Sequence, residues 1–136
     1  MERLAKTKQI LQKSIALSAY IRFLHLIDVI DSTGGWKKLD PLEESLLNKL
    51  VLMATKQDEP ILVKDLISIA SIASQATLHG RVKSLERKGL INLIADQDDA
   101  RKKHVYPTQL AMKRYEMLSD NFERALGSAE QAYELT

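Results

Sequence analysis

The side chains of this chain that could do chemistry are mostly cations, and they are crowded. Residues 75–104 hold seven Lys or Arg (Arg81, Lys83, Arg87, Lys88, Arg101, Lys102 and Lys103) against four acids, a local charge of +3 in a chain of net charge +2. Residues 1–13 carry a further +3, and residues 113–136 carry −2. A polyanion responds to local basic density more than to the total. The plain alternative is a set of solvated faces. No nucleophile–base pair, phosphate-cradling glycine loop or carboxylate dyad is evident, so neither an enzyme nor a cofactor is expected. With no cysteine, disulfides, zinc-thiolate sites and thiol redox sensing are excluded. The three histidines are not spaced as metal ligands, and no metal site is expected. Asp96, Asp98 and Asp99 lack the glycine and distal glutamate of a calcium loop and read as a turn.

The cations need elements to hold them. Leu78, Val82 and Leu85 fall at i, i+4, i+7 and form one apolar helical stripe. Ala76, Gly80, Lys83, Ser84 and Arg87 project from the opposite side. Ser74 caps the start, and Lys88-Gly89 ends the helix with a cation and then a residue tolerant of left-handed φ. Leu90–Ile94 reads as a strand, Asp96–Ala100 as a turn, and Lys102–Tyr106 as a second strand ended by Pro107. A basic helix followed by a hairpin with a basic tip outlines a winged helix-turn-helix.

Around this stretch, residues 2–31 read as one long helix without internal Gly or Pro. From Ile15 to Ile30 it is apolar in almost every direction, which calls for cover by a second subunit. Its one polar stripe is Ser14, Ser18, Arg22, His25 and Asp28. That stripe is either the wall of a ligand cleft, with Arg22 and His25 as contacts, or a solvated strip with intrahelical pairs. Gly34-Gly35 marks a turn, and Trp36 seals a helix junction. Asp40-Pro41 opens the next helix, to about Thr55, with Glu43 and Glu44 in its first turn. Ile61-Leu62 suits a short edge strand, and a short helix follows from about Val63 to Ala70. The last helix carries the stripe Ala111, Tyr115, Leu118, Phe122, Ala125, Ala129 and Tyr133, long enough for a partner helix. Ile15–Ile30 is too short and too charged to span a bilayer, and no signal peptide is recognised, so a cytosolic protein is expected.

In this order the elements resemble the MarR family of bacterial transcriptional regulators. The closest stretches are Ser84-Leu-Glu-Arg-Lys-Gly-Leu-Ile91 and Asp98-Asp-Ala-Arg-Lys-Lys-His-Val-Tyr-Pro-Thr108, with an Asp99-x-Arg101 element in the wing. The resemblance implies a mainly α (α+β) fold in the order α-α-α-α-β-β-α. It implies a single domain, with 1–35 and 108–136 as dimerisation helices and 40–107 as the winged helix-turn-helix. It places Ser74, Gln75, Ala76, Thr77, His79 and Gly80 on the DNA side, Lys83 and Arg87 at phosphates, and Arg101, Lys102 and Lys103 in the wing. A Gln amide suits an adenine edge, and a His can donate to a base or a phosphate.

The partners implied are a pseudo-palindromic double-stranded DNA operator, a second copy of the chain, and a small aromatic effector, in the bacterial cytoplasm at the nucleoid. The chain departs from the family pattern at Gly80 and Ala100, where arginines are usual, and at Leu93 and Ile94, where basic residues are common. Those departures support one rival reading, a winged-helix protein-interaction module that has lost DNA binding; a second rival is a nonspecific nucleic-acid accessory protein, which salt-dependent binding with little sequence preference would favour.

Overall fold

The computed structural model describes residues 2–33 and 37–127, and of residues 11 and 13–17 the backbone alone. Six helices and three strands run in the order α1 (Glu2–Leu17), α2 (Ala19–Thr33), α3 (Pro41–Lys56), β1 (Ile61–Leu62), α4 (Val63–Ala70), α5 (Gln75–Arg87), β2 (Ile91–Ala95), β3 (Lys103–Pro107) and α6 (Gln109–Ala125). The fold is mainly helical with a small antiparallel sheet, in the expected order and with Ile61-Leu62 as its edge strand, apart from a divided first helix. The chain separates into two compact units, residues 1–35 with 114–136, and residues 36–113.

In the second unit, α3 starts on a complete capping box. The Asp40 carboxylate accepts from the Glu43 N–H at 2.8 Å, and the Glu43 carboxylate accepts from the Asp40 N–H at 3.0 Å. Pro41 occupies the first turn, where a missing N–H costs nothing. Leu46, Leu47 and Leu50 of α3 meet Leu66 and Ile67 of α4, Leu78, Val82 and Leu85 of α5, and Ile91 and Val105 of the sheet in a buried apolar core. Burying each such side chain contributes about 1.5–3 kcal/mol. The sheet order is β1-β3-β2, antiparallel throughout, with Leu93 opposite Val105 and Ile61 on the other side of Val105. Both hairpin strands lie one residue later than the apolar pattern places them, and Pro107 is the last residue of its strand rather than the one that follows.

The turn between α4 and α5 has no glycine, yet Ser71 adopts left-handed φ 44° and ψ 25° at the end of α4. For an L-residue this conformation costs roughly 1–2 kcal/mol, part of which glycine returns as unfolded-state entropy. The Ser71 side chain is exposed, so nothing is lost by deleting it. Ser71→Gly is therefore expected to stabilise the protein by about 0.5–1 kcal/mol in urea unfolding. A loss of stability would show that the turn relaxes in solution. By contrast, α5 ends on a glycine. Gly89 has φ 78°, its N–H reaches Glu86 O, and the Leu90 N–H reaches Leu85 O, both at 3.0 Å. This is the paired bonding of a Schellman stop.

In the first unit, the single long helix expected over residues 2–31 is broken at Ser18. The Ser18 carbonyl accepts the Arg22 N–H at 3.0 Å and so begins α2, a role that serine fills without Gly or Pro. Leu26 and Ile30 are buried on α2, whereas Tyr20, Leu24 and Val29 are exposed. Phe23 packs edge-on against Phe122 of α6, ring centroids 5.5 Å apart. The last helix, expected to reach Tyr133, stops at Ala125 with a turn through Leu126 and Gly127. Ala129 and Tyr133 of its stripe, and the Gly34–Trp36 junction, lie outside the described residues.

Candidate nucleic-acid interface

Helix α5 presents one buried and one open face. Leu78, Val82 and Leu85 are buried, and Gln75, Ala76, His79, Gly80, Lys83 and Arg87 are exposed. Ser74 caps the helix, its Oγ accepting from the Thr77 N–H at 3.2 Å and donating to Thr77 Oγ1 at 2.9 Å. Ser74 and Thr77 thus spend part of their hydrogen bonding on the helix end. A Cβ added at Gly80 would meet nothing within 4 Å, so nothing within the chain demands a glycine there.

The wing turn is built on carboxylates. Asp96 Oδ2 accepts from the Asp98 and Asp99 N–H groups at 3.0 and 3.1 Å, and Oδ1 lies 2.8 Å from His104 Nε2. The His104 hydrogen bond, then those two N–H groups, hold the Asp96 carboxyl below the usual carboxylate range. Its oxygens are spent on the turn, in keeping with a turn rather than a calcium loop. Asp99 Oδ1 accepts from both the N–H and the Nε of Arg101, at 3.0 and 3.1 Å, and Oδ2 accepts from Nη2 at 3.3 Å. The Arg101 side chain is nonetheless 91% exposed. It stands out from the turn, aimed by Asp99.

Between α5 and the wing lies a cleft of about 300 Å³. His79 and Lys83 enter from the helix, Arg101, Lys102 and Lys103 from the wing, over a floor of Leu62, Val63, Val82 and Leu93. Five of the sequence-selected residues therefore come together in one basic groove. Lys64, from the start of α4, joins them and was not foreseen from the sequence. Gln75, Ala76 and Arg87 are exposed on the same helix but do not line this groove.

No protein-family model and no curated protein matches the sequence. Solved structures do. The S. aureus MepR–DNA complex superposes with a TM-score of 0.55 at 18% identity, covering 88% of this chain and 80% of that one. PcaV from Streptomyces coelicolor, solved with its natural ligand, gives 0.51 at 16% identity over 96% and 83%. A MarR-like regulator from Bacillus cereus gives 0.53 at 12% identity over 89% and 80%. The fold is the MarR winged helix-turn-helix. Among the described residues, no helix is long and apolar enough to cross a membrane.

In this MarR-type fold, the back of α5 is held by a clasp that periodicity does not reveal. Glu43 is only 2% exposed. Its Oε1 accepts from Lys88 Nζ at 2.7 Å as well as from the Asp40 N–H, and Oε2 accepts from Ser84 Oγ at 2.8 Å. Lys88 Nζ also donates to the Lys38 carbonyl at 3.0 Å, and Asp40 Oδ2 lies 2.7 Å from Arg81 Nε. Ser84, placed by its spacing on the open face, is half-buried and turned to Glu43. Arg81 and Lys88, counted with the local basic charge, are paired with Asp40, the cap of α3, and with Glu43 in its first turn. The one early signal was Asp40-x-x-Glu43, a capping-box spacing that says nothing of α5.

Burial raises the Glu43 pKa, but the Asp40 N–H, Lys88 and Ser84 outweigh it and leave the carboxyl below its ordinary value. A depressed carboxylate contributes stability that is present above its unfolded pKa and lost as pH falls through the folded one. Wild type is therefore expected to exceed Glu43→Gln in stability at neutral pH. The gap should close as pH falls below about 4. Urea midpoints across pH 3–7 check this, and a gap that persists unchanged in acid would remove the carboxylate as its source.

Arg22 and His25, the candidate ligand contacts, belong to the other unit. His25 is exposed. Arg22 is 6% exposed, and its guanidinium caps the end of α6. Nε donates to the Ala125 carbonyl at 2.8 Å, Nη2 donates to the same carbonyl, and Nη2 reaches the Gly127 carbonyl at 3.2 Å. Arg22 is therefore buried rather than part of a solvated strip, and these bonds reach across about a hundred residues of chain.

Proposed function

We propose that this chain is a DNA-binding transcriptional regulator of MarR type that binds a pseudo-palindromic operator as a homodimer. The observation that carries the reading is the basic groove between α5 and the wing, in a chain whose fold matches a regulator solved on DNA. The exposed start of α5 would enter the major groove, and the wing would follow the backbone or the minor groove. Gln75 and His79 would face bases. Lys64, Lys83, Arg87, Lys102 and Lys103 would neutralise phosphates.

The second copy would cover Tyr20, Leu24 and Val29 of α2, Phe122 of α6 and Leu126 just after it, large apolar side chains exposed in the single chain. In this reading, residues 1–35 and 108–136 serve dimerisation and residues 40–107 serve DNA binding. Operator occupancy would repress in the cytoplasm, at the nucleoid. PcaV was solved with its natural ligand, which supports a ligand for this chain; a small, aromatic effector that releases the operator is the form the reading gives it.

The rival reading, a protein-interaction module, is favoured by one observation: β2 is an edge strand without a charge, and Ile94 on it is 54% exposed. Selection from random duplexes, followed by titration of the winning duplex at several salt concentrations, separates the two. A regulator should yield a palindromic consensus. Its log–log salt slope should steepen by roughly 0.9 for each phosphate neutralised. Absence of a consensus together with a flat salt response would support the interaction module. Steep salt dependence without a consensus would support a nonspecific binder.

A further inference from the structure

The clasp on the back of α5 has the wrong character for a device that only adds stability. The apolar stripe of Leu78, Val82 and Leu85 already attaches the helix to the core. Apolar burial is non-directional, so it tolerates a small roll of the helix about its axis. Hydrogen bonds do not, because their strength falls steeply with angle. The clasp grips α5 by hydrogen bonds at Ser84 and Lys88, spaced i and i+4 along one side, and Arg81 adds an ion pair to Asp40 one turn earlier. Both Glu43 oxygens are engaged, and Glu43 is itself held in the first turn of α3 by the Asp40 N–H. Capping one helix and locking the roll of another are thus done by the same carboxylate. Buried ion pairs are weak contributors to stability, and apolar replacements of similar volume are often neutral. What such a pair adds here is orientation.

We infer that Glu43, acting through Ser84 and Lys88, is a positioning residue that sets how sharply the open face of α5 discriminates between DNA sequences. This rests on the DNA-binding reading above. On that reading, the groove cations hold the backbone whatever the sequence, whereas Gln75 and His79 discriminate only if the roll of the helix brings them to the base edges. A few degrees of roll at the axis move a side-chain tip enough to spoil a bidentate contact and leave phosphate attraction intact. The clasp should therefore govern the ratio of specific to nonspecific affinity, and not affinity for DNA in general.

The test is the double variant Glu43→Leu/Lys88→Met in the full chain, with Ser84→Ala as the milder second variant. Affinities for a selected operator and for a scrambled duplex are measured by fluorescence anisotropy at several salt concentrations, beside thermal melts. The expected result for the double variant is a specific-to-nonspecific ratio at least ten-fold lower. Scrambled-duplex affinity and salt slope should stay near wild type, while loss of the Glu43 acceptor for the Asp40 N–H and Ser84 Oγ lowers the melting temperature modestly without unfolding the protein. Ser84→Ala should lower the ratio in the same direction by a smaller factor, and it decides the matter if the double variant does not fold. A ratio unchanged in the folded variants overturns the proposal, and a lower melting temperature with an unchanged ratio makes the clasp merely structural. A wild-type protein that shows no preference between the two duplexes overturns the DNA reading first, in an arm that involves no variant.

Discussion

Arg101→Ala should weaken binding to a selected operator by about 1–3 kcal/mol per subunit, the range of a good base-edge contact. The side chain is almost wholly exposed at the wing tip, and Asp99 holds its planar fork from one side. An always-charged planar fork suits a narrow, electronegative minor groove better than an ammonium does. Ala100 brings no second arginine to the tip, so the neighbouring charge is that of Lys102 and Lys103. The fold of the turn does not depend on the guanidinium. Asp99 also accepts from the Arg101 backbone N–H, and Asp96 accepts from two further N–H groups. Melting temperature should accordingly stay within the small range expected for an exposed ion pair, about 0–1 kcal/mol. Arg101→Lys should recover part of the affinity. Anisotropy on the operator and parallel melts decide the matter. Undiminished affinity in the alanine variant would take the wing out of the contact, and a large drop in melting temperature would make its role structural.

Arg22→Ala should reduce stability by about 2–4 kcal/mol. The last carbonyls of any helix lack partners within the helix, and those of α6 at Ala125 find theirs in this guanidinium. Hydrogen bonds to a charged group contribute about 1.5–3 kcal/mol, and a cation at a helix C-terminus is favoured by the helix dipole as well. Truncation also removes the packed aliphatic stem and leaves buried carbonyls bare. Arg22→Met keeps the stem without the donors and should recover only the packing share. Arg22→Lys restores the charge and a compact donor, and should do better than Met. Urea unfolding of the three variants gives the ranking. If alanine and wild type share a midpoint, the cap contributes nothing and the end of α6 is satisfied by other groups.

Much of the second unit was legible in the sequence because its signals are local. Asp40-Pro41, Ser74 and Lys88-Gly89 mark helix ends within one turn of themselves, and each is where its residue types place it. The stripe Leu78, Val82, Leu85 and the alternation around Val105 report which face is buried through periods of 3.6 and 2. The wing cations needed only their place in a hairpin to be selected. Ser71 escaped notice because a left-handed serine follows from how α4 must meet α5, and no residue type announces it. The break at Ser18 escaped for a related reason: serine is a modest helix residue and a good cap, and the next helix decides which role it takes.

The tertiary structure alone decided where the charges go. Sequence spacing put Ser84 on the open face and counted Arg81 and Lys88 as available cations, yet acids some forty residues earlier claim all three. It offered Arg22 to a ligand or to an intrahelical pair and did not show that its guanidinium reaches the end of α6. It passed over Lys64, which reaches the groove only because α4 packs beside α5 and the wing. Helical and strand periods are short-range properties of the backbone and so are written in neighbouring residues. A long charged side chain bonds to whatever carboxylate or carbonyl the folded chain brings within about 3 Å, and that partner can lie anywhere in the sequence.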